Sequence, residues 1–155
     1  MEYLSLKMLH IFGAMIFIGN MTVTLCWKVL SDKTRDAKIV GFSQKVVNIT
    51  DFLFSSVGIF IILVTGLMMA DQLPQVEGQE LNWVNWGVRL LITSVALWIV
   101  ILLPIQAKQA MMVRDFSTEG IPELYWKLGR TWLVFAVIAI ALPLANLYFM
   151  VYKPM

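Results

Sequence analysis

His10 is the only histidine in the 155-residue chain, and it stands inside an apolar stretch. A neutral imidazole in that setting has two uses. It hydrogen-bonds to a neighbouring helix, or it ligates a metal through a ring nitrogen. One histidine excludes a bis-His haem within the chain. A five-coordinate haem, or a His/Met or His/Lys pair, stays open. Lys7 stands one turn earlier, and Arg89 opens a later apolar segment. Both cations suit an anionic group such as a haem propionate. Met68, Met69 and Met150 are soft donors for a sixth position or for Cu(I). The plainer readings are that Lys7 snorkels, Arg89 pairs with Asp71 and the methionines fill core gaps. The lone Cys26 excludes an internal disulfide, a CxxCH haem attachment, a four-Cys iron–sulfur cluster and a Cys-based zinc site. A Ser-His-Asp arrangement, an HExxH pair and a phosphate-binding glycine loop are absent from the sequence.

The elements that must position these residues are membrane helices. Apolar residues make up 59% of the chain, charged residues 14%, and the mean hydropathy is +0.77. In water such a chain would leave too much apolar surface uncovered. Disorder and a disulfide scaffold are excluded, and a net charge of +2 gives no basis for a nucleic-acid partner. A spanning helix needs about 20 mostly apolar residues. Four segments qualify, at about residues 3–30, 51–70, 86–107 and 122–152. They predict an all-α, integral membrane four-helix bundle in a single domain covering 1–155, with helices antiparallel in order because the connections are short. The first segment reads as retained: it is too long for a signal peptide and lacks a basic leader.

Lysines and arginines set the topology. Nine lie in or beside the first and third connections: Lys28, Lys33, Arg35, Lys38, Lys45, Lys108, Arg114, Lys127 and Arg130. Three, Lys7, Arg89 and Lys153, lie on the other side. Both termini are therefore expected outside, with the acidic second loop (Asp71, Glu77, Glu80). Residues 31–50 mix charged and apolar positions, as an interfacial amphipathic extension would. Pro104 and Pro143 are expected to kink the third and fourth spans.

Within the first span, Lys7, His10, Gly13, Phe17, Asn20 and Thr24 recur at helical spacing and share a face. Glycine there allows close helix approach, and Asn20 should face the bundle interior. At the cytoplasmic ends stand Asp51, Gln106, Lys108, Tyr125 and Arg130. Asp51 is expected to cap the second span or to pair with Arg130.

Several runs carry a resemblance. They include Leu6-Lys7-x-Leu9-His10-x-x-Gly13, Gly19-Asn20, Trp27-Lys28, Lys33-Thr34-Arg35-Asp36, Thr50-Asp51-Phe52-Leu53-Phe54, Pro104-x-Gln106 and Leu128-x-Arg130-x-Trp132. Together they resemble, over essentially the whole chain, a bacterial family of predicted four-helix integral membrane proteins, a domain of unknown function. More distantly the chain is similar to HemJ-type protoporphyrinogen oxidases and copper-resistance D-type membrane proteins. The HemJ likeness implies haem b, with His10 as axial ligand. It also places Arg89 where that type has a functional lysine, and a guanidinium does not ligate iron.

The leading expectation is therefore a haem b-binding protein of the bacterial inner membrane, acting in electron transfer or as a redox subunit. His10 would hold iron, Lys7 and Arg89 the propionates, and Met68, Met69 or Met150 a sixth position. Its partners would be the lipid bilayer and a larger membrane redox complex or a second copy. The alternative is a cofactor-free accessory or assembly subunit, in which His10 only hydrogen-bonds. A third reading, copper or small-solute transport, is disfavoured because no span is visibly broken near its middle.

Overall fold

The computed structural model describes residues 2–73, 82–114, 116 and 120–153. Pro74, Glu77, Gly78, Glu80 and Ser117 of the two longer connections lie outside the described residues. Four helices are long and apolar enough to cross a membrane: α1 (Tyr3–Thr34), α2 (Ala37–Ala70), α3 (Asn82–Val113) and α4 (Glu123–Tyr152). No strand occurs among the described residues.

The α1–α2 turn is tight. Arg35 sits in the left-handed region at φ 53°, and its backbone N–H bonds back to the Asp32 carbonyl. The Asp36 carboxylate then accepts from the Lys38 and Ile39 N–H groups and starts α2. The stretch expected as a separate interfacial extension is instead the beginning of α2 itself. Val40, Gln44 and Val47, three and four residues apart, turn one buried face toward α1 and α3. This puts Asp51 in the middle of a continuous helix, so it caps nothing.

Two wide π turns interrupt α2 and α3, at Asp51–Ser55 and Trp98–Leu102. The second ends two residues before Pro104, whose missing N–H and ring disturb the turn before it. Pro143 lies buried inside α4 and has no N–H for the Ala139 carbonyl. The buried Ser94 hydroxyl of α3 donates to that carbonyl at 2.9 Å and replaces the missing bond.

The helices pack as two hairpins, α1 with α2 and α3 with α4. Gly13 and Gly58 let α1 and α2 touch backbone to backbone. A methyl at Gly58 would lie 2.9 Å from the Phe17 nitrogen and 3.0 Å from the Gly13 carbonyl oxygen. In the second hairpin Met150 covers Gly87, and Asn146 donates to the Gly87 carbonyl at 3.0 Å. Phe17, Met21, Ile62, Leu91, Trp98 and Trp132 join all four helices in one core. Outward positions such as Leu4, Phe60, Val100 and Val137 are apolar and exposed. That surface belongs against acyl chains.

Candidate functional site

Two polar sites interrupt this apolar bundle. The first is His10, half-buried between α1 and α2. Its Nδ1 lies 3.0 Å from Thr65 Oγ1, and Thr65 donates its own proton to the Ile61 carbonyl at 2.6 Å. With that proton assigned to the Ile61 carbonyl, the Thr65 oxygen is the acceptor toward the ring, an assignment that puts the His10 proton on Nδ1 and leaves Nε2 a lone pair. Nε2 has no hydrogen-bond partner among the described residues. Gly66 leaves the ring its space: a methyl there would come 3.2 Å from His10 Cε1. A backbone or hydroxyl anchor on one ring nitrogen, with the other free, is how ligating histidines are oriented.

The other proposed ligand residues are not gathered around His10. Lys7 is exposed one turn nearer the chain start. Met68 and Met69 follow Thr65 by about one turn on α2, the first exposed and the second half-buried. Arg89 and Met150 belong to the other hairpin. Arg89 lies over the Trp86 ring at 5.7 Å, not against Asp71, and Met150 is spent on Gly87. Among the described residues no three His, Cys, Asp or Glu side chains are grouped to hold a metal ion.

The second site is larger and lies toward the basic end of the bundle. Asp51, only 5% exposed, accepts from Asn20 Nδ2 at 2.8 Å, Thr24 Oγ1 at 3.1 Å and Gln106 Nε2 at 2.6 Å. Asn20 also donates to Ser55, so it faces the interior and ties α1 to the π turn of α2. The expected Asp51–Arg130 pair does not form. Arg130 is exposed, and Gln106 of α3 takes the place beside Asp51.

One step farther along α1 lies Lys28, 2% exposed. Its ammonium donates to Gln44 Oε1 and Tyr125 Oη, each at 3.0 Å, and faces Asp32 Oδ2 at 3.5 Å. Tyr125 in turn donates to Gln44 Oε1 at 3.1 Å. The cation also sits 4.8 Å from the Tyr125 ring centre and 5.7 Å from that of Trp132. All three ammonium protons thus have partners on α1, α2 and α4.

Gln106 and Tyr125 were visible in the sequence as polar residues at span ends. The roles of Lys28, Gln44 and Asp32 were not. The missed signal is the polar stripe itself. Gly13, Phe17, Asn20 and Thr24 continue by a step of four to Lys28, whereas at the other end the buried position is Leu6, not Lys7. Chemically, the two carboxylate- and ammonium-centred sets fasten helices to one another. Each strong donor or acceptor at their centres is engaged by protein, so the arrangement positions the bundle instead of presenting a reactive group. His10 Nε2 lies on a ring held by Thr65 and has no hydrogen-bond partner among the described residues.

No curated protein and no solved structure matches the chain. The family described as "Predicted integral membrane protein (DUF2269)" matches residues 4–154. With four apolar spanning helices and a match over nearly its whole length, the chain belongs to that family of integral membrane proteins.

Proposed function

We propose that the chain binds haem b through His10 Nε2 in the bacterial inner membrane and serves electron transfer, alone or as a subunit of a larger redox complex. The observation that supports this reading is the orientation of the imidazole. Thr65 fixes the Nδ1–H, Gly66 clears the ring, and Nε2 is left as the donor atom. On this reading a haem would be held from one side, by the first hairpin. Lys7 is the cation near enough along α1 to meet a propionate, and Met68 or Met69 is the soft donor carried by the same hairpin. Arg89 would reach such a group only across the two hairpins. When bound, the haem would supply one-electron chemistry, and the chain's own part would be ligation and orientation of the ligating ring.

The test is the absorbance spectrum of protein purified in detergent after expression with ample haem. The expected result is a Soret band that His10→Ala abolishes, with the variant still inserted and folded. Thr65→Val should weaken haem retention about 10–100-fold, as loss of a group orienting a metal ligand does. A colourless wild-type protein, or colour that survives His10→Ala, overturns the proposal. In the first case the cofactor-free accessory subunit takes its place.

A further inference from the structure

At the basic end of the bundle, the last turns of α1 and the first turns of α4 enclose an open groove of about 690 Å³. Its cations are Lys28, Lys33, Arg35 and Arg130, and its carboxylates are Asp32 and Glu123. Asp32 faces Lys28 through Oδ2 at 3.5 Å while its buried Oδ1 has no partner among the described residues, and Glu123 faces Lys127 at 3.5 Å. The residual charge of the groove is therefore that of Lys33, Arg35 and Arg130, all exposed and without an ion pair among the described residues.

Below this rim the walls turn apolar, at Val29 and Leu133. Trp132 lines the groove and keeps an indole N–H without a partner among the described residues. The order inward along α1 from Lys33 to Val29, and along α4 from Arg130 to Leu133, is cationic, then apolar. It matches a phospholipid lying along the helices, phosphate at the rim and acyl chain against the wall.

Arg35 adds an independent observation. It holds a left-handed backbone conformation that glycine adopts freely and arginine does not. A glycine would make the α1–α2 turn with less strain, so replacing Arg35 by glycine removes its charge from the groove and keeps the turn.

We propose that this groove binds the headgroup of an anionic phospholipid, with Lys33, Arg35 and Arg130 on the phosphate. The direct assay is native mass spectrometry of the delipidated full-length protein, titrated with dioleoyl phosphatidylglycerol or with phosphatidylcholine of the same chains. Phosphatidylglycerol should be retained in preference to phosphatidylcholine. Arg130→Ala and Arg35→Gly should each lower that preference about fivefold, what one lost Lys/Arg contact near a lipid surface amounts to. Lys45→Ala, an exposed cation outside the groove, should leave it unchanged. Arg35→Gly should unfold no more easily than wild type, so its loss of lipid would not be a loss of fold. Equal retention of phosphatidylcholine overturns the proposal, as does a Lys45→Ala loss matching that of Arg130→Ala. Displacement of the lipid by inorganic phosphate at physiological concentration overturns it too, by assigning the groove to a free anion.

Discussion

Replacing Ser94 by alanine removes the hydroxyl of α3 that donates to the Ala139 carbonyl. Pro143 has no N–H, so that carbonyl lacks its ordinary i+4 partner within α4. Ser94 is fully buried and donates at 2.9 Å, so water does not take over when the hydroxyl is gone. An acceptor left unpaired in the interior costs about 1–3 kcal/mol. Polar bonds inside membrane proteins average about 0.6 kcal/mol and reach about 1.7. The overlap of the two ranges puts the Ser94→Ala loss at about 1–1.7 kcal/mol. Pro143→Ala restores an N–H four residues after Ala139. In that background Ser94→Ala should cost about 0.5 kcal/mol or less, giving a coupling of about 1 kcal/mol. Reversible unfolding in mixed detergent micelles, run on all four members of the cycle, measures this. If Ser94→Ala costs the same with and without Pro143, the hydroxyl is not standing in for the missing N–H, and the reasoning fails.

Three further outcomes follow from the packing and the charge pattern. Gly58→Ala should destabilise by about 1–3 kcal/mol because its methyl would press on the Phe17 and Gly13 backbones, whereas Gly19→Ala, with nothing within 4 Å, should be neutral or stabilising by up to about 1 kcal/mol; the same unfolding assay compares them. Asp51→Leu should cost about 3 kcal/mol or more by stranding the donors of Asn20, Thr24 and Gln106, and Asp51→Asn less because one acceptor remains; equal losses would show that the carboxylate acts only by its volume. A reporter fused after Met155 should be active only in its extracytoplasmic form, since the basic connections direct both termini outward; cytoplasmic activity would reverse the topology.

The four helices were legible because long apolar runs have one solution in a bilayer, and the inward turn of Asn20 was legible from its helical register with Gly13 and Phe17. The polar pinning was not. Lys28 sits where a span ends, and in sequence it is indistinguishable from a lysine that snorkels to the surface. Its partner Tyr125 is 97 residues away, a separation no local pattern reports. Asp51 looked like a cap because it follows a polar run, yet the register of Val40, Gln44 and Val47 carries the helix straight through it. The Ser94–Ala139 bond escaped for a related reason. Pro143 announces a freed carbonyl, but only the fold says which hydroxyl arrives to meet it.

Among the described residues, the side-chain hydrogen bonds that link the two hairpins are Lys28–Tyr125, Tyr125–Gln44 and Gln106–Asp51, all toward the basic end. Those nearer the opposite end, His10–Thr65, Ser94–Ala139 and Asn146–Gly87, stay inside one hairpin. This division has a consequence for biogenesis. As the chain leaves the ribosome, the first hairpin can enter the bilayer with its buried charges already escorted, Asp51 by Asn20 and Thr24, Lys28 by Gln44 and Asp32. The later half then needs only to dock and complete the bonds from Gln106 and Tyr125. Two fragments divided between α2 and α3 and synthesised separately should therefore reassemble into the native bundle.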